Sequence, residues 1–472
     1  MSEPTLSQQL AAFALATVRD GAPEAVRASV RQRILDVVGL QAAALSLDTS
    51  AAALALVDAQ GGAAQAHVVG RDAAVPAAWA AFANGVLAHS LDYDDTHLPS
   101  VLHPSASVVP AGLAAAEHHG ASGPTILDAI GVGIEVVVRL GMAGFDRTTN
   151  DSVFFAHGQH ATSICGTIGS AVTAGLLAGF DEDRIVDAIG VAASMASGII
   201  EANRTGGTVK RMHCGWAAHA GVTAAQLVDA GFTGPPTALE GRFGFFEAFL
   251  HGTFDPDAVV DGLGDDWAVP GIFFKPYPAN HFTHTGLDAA RRLRAQGLDP
   301  DDVEEAVLGV APSTVRTIGE PLELKQRPET GYQAQFSGPY LVALGLLGGG
   351  GLGASLDDFT DALAQDPRRR ALMARIRIEP DDRCGEIYPY QFPAVLRVRT
   401  RDGRDLVEEV LVNRGGPDDP LSEAELREKF RSNAGRAYGP AALDAVEAAV
   451  VGLADGTAGA ADVLRPLGTP SR

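Results

Sequence analysis

Over roughly its first 270 residues the chain repeats one texture: segments rich in Ala, Leu, Val and Gly with helical spacing, several of them apolar on nearly every face. A helix without a polar face has to be surrounded by other helices, so this pattern demands a large bundle with enclosed central members. PEAVRASVRQRILDVVGLQAAAL is a one-sided version, with Val26, Val30, Ile34, Val37 and Val38 on one stripe and Pro23 suited to a first helical turn. ILDAIGVGIEVVVRLGMA and ATSICGTIGSAVTAGLLAG are apolar almost all round, and their small residues let neighbouring helices approach closely. No fixed-period repeat is present, which argues against a solenoid.

The texture changes near residue 270. VEEAVLGVA, ARIRIEP and VLRVRT alternate as half-buried strands do, and AVLRVRT, RDGRD and LVEEVLVN together read as a hairpin turning at Asp402-Gly403. Helical signals return at SEAELREKFRSNAG, where Ser422 and Glu425 have capping-box spacing, and a last helix is expected over AALDAVEAAVVGLA. A chain of 472 residues is too long for one core. The expected fold is mainly α: a large all-helical domain formed by both chain ends, residues 1–272 and 414–472, with a smaller α+β domain, residues 273–413, inserted in it. The glycine run in LGLLGGGGLGASLDD follows a helical pattern and lacks the Lys-Ser/Thr ending of a phosphate loop, so it reads as a helix stop.

The formal charge of −22 repels nucleic acid and anionic membranes, so a phosphate-backbone partner is not expected, and an anionic substrate would need a local cluster of Lys and Arg. The N-terminal residues lack the basic start and apolar core of a signal peptide, and no apolar run reaches the roughly 18 residues of a membrane helix. Cys165, Cys214 and Cys384 are far apart, against a structural zinc or a four-cysteine cluster. A cytoplasmic protein with reduced thiols is the expectation.

Chemistry concentrates in AHSLDYDDTHLPSVLHPS, which holds Asp92, Asp94, Asp95, Thr96, His89, His97 and His103. Asp92, Asp94, His97 and His103 are metal-ligand types, but neither zincin spacing nor an EF-hand loop is present, and an N-cap network of Asp and Thr explains the segment alone slightly better. FFAHGQHATS places His157 and His160 at a helix start. NRTGGTVKRMHCG offers a glycine pair for close backbone approach, with Lys210 and Arg211 as rare cations among apolar helices and His213 two residues on. FFKPYPANHFTHTGLDAA adds Lys275, Tyr277, His281 and His284, and QAQFSGPYLVALGLL puts Tyr340 before an apolar helix, where packing is the ordinary role.

Five blocks, AHSLDYDDTHLPSVLHPSASVVPAGLAAAE, GTVKRMHCGWAAHAGVTAAQL, KPYPANHFTHTGLDAA, QFSGPYLVALGLL and RGGPDDPLSEAELREKF, together resemble the MmgE/PrpD family, in the family's order and over nearly the whole chain. That family includes 2-methylcitrate dehydratase, cis-aconitate decarboxylase and iminodisuccinate epimerase. The resemblance implies a helical domain with an α+β lid, a homodimer, and chemistry with neither metal nor organic cofactor. It carries over Asp92 and Thr96 of the D-x-D-D-T block, His103 of H-P-S, His160, Lys210 after the glycine turn, Lys275 of K-P-Y-P and Tyr340 of S-x-x-Y. The loop before His103 is slightly longer than in the decarboxylases. Either His281 or His284 answers to the family's remaining histidine, and His284 is preferred because a helical pattern follows it directly.

Enzymes of this family remove or add a proton beside a carboxylate, which needs a well-placed base and stabilisation of enediolate-like charge. The expectation assigns His103 and His160 as the acid/base pair, Asp92 and Thr96 to position His103, and Lys210 and Lys275 to anchor carboxylates. Arg211 and Arg204 are weaker anchors, Tyr340 donates to a leaving hydroxyl, and His89 and His97 are structural. Lys210-Arg211-Met212-His213 differs from the K-P-L-H of the decarboxylases, so a hydro-lyase acting on a small di- or tricarboxylate stands ahead of an epimerase or a decarboxylase. An inactive ligand-binding homodimer and a metal hydrolase using Asp94, Asp95, His97 and His103 are the competing classes.

Overall fold

The computed structural model describes residues 3–202 and 207–471 and is mostly helical, with small sheets. It divides into two compact units, residues 1–272 with 430–472, and residues 273–429.

The larger unit opens with α1 (Leu6–Asp20), α2 (Glu24–Ala44), α3 (Asp48–Gln60), α4 (Ala77–His89), α5 (Ser105–His119) and α6 (Gly123–Ala143). It continues through α7 (Ala161–Leu177), α8 (Glu182–Met195) and α9 (His213–Asp229). Every residue of α7 is buried, the outcome demanded by a segment with no polar face. α9 packs along both α7 and α4, and α6 lies on the other side of α7. Small residues set those spacings. A Cβ on Gly215 of α9 would sit 2.5 Å from the Phe82 carbonyl oxygen, and one on Gly169 of α7 would sit 2.5 Å from the Gly133 oxygen. Pro23 is one residue outside its expected place: it caps α2 with ψ 145° and is not in the first turn.

The smaller unit holds a four-stranded sheet of β1 (Val303–Val310), β2 (Ile376–Pro380), β3 (Ala394–Thr400) and β4 (Asp405–Val410), in the order β2-β1-β3-β4. β1 runs parallel to β2 and antiparallel to β3, and β3 pairs antiparallel with β4 through the Asp402-Gly403 turn, where Gly403 has φ 85°. The helix His284–Ala295 packs on β3 and β4 and against the helix Gly338–Leu347. Gly348 at φ 97° ends the latter, so the glycine run is a helix stop. Ser422 and Glu425 exchange the two hydrogen bonds of a capping box. Among the described residues no single helix is long and apolar enough to cross a membrane.

Candidate active site

The segment between α4 and α5 is irregular backbone, yet Asp92, Asp94, Asp95, Thr96 and His103 in it are all buried. Buried loop groups need partners, and Asp95 supplies many of them. Its carboxylate accepts from Arg33 Nη1 of α2 at 2.7 Å and from Ser105 Oγ at 2.5 Å. Arg33 also donates to the carbonyls of Val269 and Ile272, at 3.1 and 2.8 Å. The Asp95 carbonyl accepts from His103 Nδ1 at 2.6 Å. A carbonyl only accepts, so His103 carries its proton on Nδ1, and in the neutral ring Nε2 is the proton acceptor. Thr96 Oγ1 lies 3.4 Å from the same Nδ1, and Thr162 Oγ1 of α7 accepts from the His103 N–H at 3.3 Å. Asp92 and Val101 have φ 52°, a left-handed backbone costly for residues with a Cβ, and they mark two bends of this loop.

Three further histidines join His103. His89, the last residue of α4, directs Nδ1 at Asp94 Oδ2 over 2.7 Å, with both side chains fully buried. His160 caps α7, His213 opens α9, and their Nδ1 atoms are 2.9 Å apart. Ring centroids lie 5.4 Å apart for His89 and His103, 5.7 Å for His89 and His160, and 4.7 Å for His160 and His213. Lys210 Nζ donates to Asp92 Oδ1 at 3.3 Å. Burial, then the neighbouring His89, His213, Lys210 and His103, push His160 well below the ordinary histidine range. Burial, with His89 and Lys210, lowers His213 to about 4. Both rings are therefore neutral proton acceptors at neutral pH.

The structure thus gathers Asp92, Thr96, His103, His160 and Lys210 in the larger unit. Arg211 is turned to Thr49 Oγ1 at 3.1 Å, and Arg204 lies outside the described residues. His97 is half-buried and bonds Ser100 Oγ through Nδ1 at 2.6 Å, a local loop contact. The remaining expected residues lie in the smaller unit. Lys275 is buried, and His284 Nε2 donates to the Ala279 carbonyl at 3.1 Å with its ring 4.6 Å from that of His281. Tyr340 is buried in the core cluster of that unit, its hydroxyl donating to the Asp358 carbonyl and accepting from Arg369 Nη1 at 3.4 Å.

Among the described residues, the group able to offer a metal ion three ligand atoms is His89, Asp94 and Cys214, within 4.8 Å of one another. Without an ion, burial and the nearby Asp94 hold the Cys214 thiol well above its ordinary pKa, and Asp94 Oδ2 bonds His89 Nδ1. His97, Asp95 and His103 are not part of that group.

The N-terminal domain profile of the MmgE/PrpD family matches residues 8–257, and the C-terminal domain profile of the same family matches residues 277–453. The chain belongs to the MmgE/PrpD family. This MmgE/PrpD protein is 31% identical over 378 residues to human cis-aconitate decarboxylase, covering 77% of this chain and 74% of that one. The Aspergillus terreus cis-aconitate decarboxylase is 27% identical over 398 residues, 79% and 78% of the two chains. The mitochondrial 2-methylcitrate dehydratase of Yarrowia lipolytica is 25% identical over 227 residues, 46% and 42% of the two chains.

Residue types alone left Arg33 unmentioned and gave Asp95, His89 and His213 no part in proton transfer at this candidate site. Arg33 and Asp95 meet across 62 positions of sequence, a pairing no local pattern contains. His89 reads as structural in the sequence, although it precedes Asp94 by only five positions. His213 had a usable signal: like His160 it stands at the start of an apolar helix.

Proposed function

We propose that this MmgE/PrpD protein is a lyase that moves a proton at a carbon beside a carboxylate of a small tricarboxylate. The observation that carries the reading is the gathering of three imidazoles beside an ammonium: His103, His160 and His213 with Lys210, all on the larger unit. A carbon acid of this kind needs a base that is unprotonated at working pH, and the lowered values of His160 and His213 supply one. Lys210 balances negative charge developing on the substrate carboxylate, with Asp92 holding it by one hydrogen bond. His103, its tautomer fixed by the Asp95 carbonyl, is the partner acid or base. The named relatives are enzymes acting on substrates of this class, which supports the same reading.

Dehydration fits a set of neutral bases best, because the first event is loss of a C–H proton. Decarboxylation is a second reading, favoured by the cis-aconitate decarboxylases that match most of the chain where the dehydratase matches under half. Assembly as a homodimer belongs to the same family-based reading, and light scattering of the purified chain tests it.

The deciding experiment is proton NMR in deuterated buffer of the purified protein with citrate, 2-methylcitrate, cis-aconitate and iminodisuccinate in turn, with EDTA present. A new vinylic signal from a hydroxy acid supports dehydration. Loss of a carboxyl carbon from cis-aconitate selects decarboxylation, and deuterium entering iminodisuccinate without change of composition selects epimerisation. No change in any of the four contradicts the proposal.

A further inference from the structure

His160 and His213 face each other through the same ring atom. At 2.9 Å between Nδ1 and Nδ1, one nitrogen carries a proton and the other a lone pair, since two protons or two lone pairs would repel. Two neutral rings in that arrangement are not equivalent. The ring that donates through Nδ1 has a lone pair at Nε2, and the ring that accepts through Nδ1 has its own proton at Nε2. Shifting the one shared proton exchanges the two roles. Each ring also stands at the start of a 17-residue helix, where the backbone dipoles oppose a positive charge, so neither histidine readily keeps a second proton.

We propose that His213 is the second half of the proton-transfer unit, a relay that takes over the charge His160 would otherwise hold. This rests on the proton-transfer reading above. In the forward step the substrate C–H bond breaks, and its electron pair stays on carbon and spreads into the adjacent carboxylate. The proton binds the His160 Nε2 lone pair. The N–H bond at His160 Nδ1 then breaks, its electron pair remaining on that nitrogen, and a new N–H bond forms at His213 Nδ1. His160 is neutral again and His213, protonated at both nitrogens, is the imidazolium. Return of the proton runs the same bonds in reverse. Among the described residues, the charged and titratable groups around the pair include Lys210, His89 and His103, with Asp92 on Lys210, Asp94 on His89, and the buried Cys214 thiol next to His213. Lys210 and His89 both disfavour the imidazolium, so the relayed proton is held briefly and given back.

His213→Asn and His213→Ala separate relaying from positioning. The asparagine amide can hydrogen-bond His160 Nδ1 and hold its orientation, but it cannot take up the proton. The relay predicts that His213→Asn keeps KM within about twofold, lowers kcat by about 100-fold or more, and changes the solvent-isotope proton inventory from curved to linear. Asparagine turning over as fast as wild type while alanine fails would mean a positioning role and would overturn the proposal. A second measurement needs no substrate: nitrogen NMR of the ligand-free protein labelled at histidine. Scalar coupling between the two Nδ1 atoms across the shared proton, lost in His213→Asn, supports the pair. Absence of that coupling in the wild type overturns it, even if the protein proves to act on something other than a tricarboxylate.

Discussion

Arg33 and Asp95 form an ion pair of 2.7 Å with both side chains essentially out of solvent, and the same Asp95 holds His103 through its main-chain carbonyl. One residue thus anchors the buried loop to α2 with its side chain and fixes an imidazole tautomer with its backbone. Desolvation raises the Asp95 carboxyl and lowers the Arg33 guanidinium, so charge burial opposes the pair while the contact sustains it.

Removing one partner leaves the other charge buried. Asp95→Asn is expected to cost about 3–5 kcal/mol in urea denaturation. Replacing both residues by apolar ones of similar size is expected to recover most of that stability without recovering activity, because the loop loses its tie to α2. Equal stability of the single variant and the wild type would contradict the pairing.

Stability also depends on pH through His213. Its folded value near 4 lies below the ordinary 6.5, so between those values the unfolded chain binds more protons than the folded one. The stabilisation is complete above about pH 6.5 and is lost as pH falls towards 4, by up to about 1.4 kcal/mol per pH unit. Burial acts on His160 in the same direction. Denaturation curves collected from pH 7.5 to 4.5 read this slope, and His213→Asn is expected to make it shallower.

Lys210 is expected to act on binding as well as on rate. Lys210→Met removes the ammonium that faces Asp92 and is predicted to raise KM by about 10- to 100-fold, the worth of one charged hydrogen bond. Steady-state kinetics on whichever tricarboxylate is turned over checks it, and an unchanged KM would remove Lys210 from carboxylate binding.

The approach of α9 to α4 sets where His213 stands. Gly215→Ala would place a methyl 2.5 Å from both the Phe82 carbonyl oxygen and Val86 Cγ2, and a backbone carbonyl cannot rotate away. Overpacking of this kind costs about 1–3 kcal/mol, against which the helix-propensity gain of alanine is at most about 1 kcal/mol. A lowered denaturation midpoint with a larger loss of kcat than of KM is the expected outcome.

Periodicity was enough to show a bundle around the all-apolar α7, the hairpin at Asp402-Gly403 and the helix stop at Gly348, because each is a local pattern with a local cause. Asp92, Thr96 and His103 share one short segment, so their clustering was visible before any folding was considered. The pairing of Arg33 with Asp95 was not, since Arg27, Arg31 and Arg33 all lie on α2 and none gives a sign of which carboxylate it will meet. His213 shows a different limit. Its residue type was plain, but its function depends on which ring nitrogen faces which, and that follows from α7 and α9 starting side by side. For Tyr340 the motif shows the residue, while the engagement of its hydroxyl by Asp358 and Arg369 depends on the folded unit.

The central claim is that the buried imidazoles of the larger unit move a proton to and from carbon. The most direct test is deuterium incorporation into the tricarboxylate that the wild type turns over, followed by NMR in deuterated buffer with EDTA present, for the wild type, His160→Asn and His103→Asn. The account predicts exchange in the wild type with chelator present and a fall of at least about 100-fold in each folded variant. Exchange that persists at the wild-type rate in both variants would contradict it.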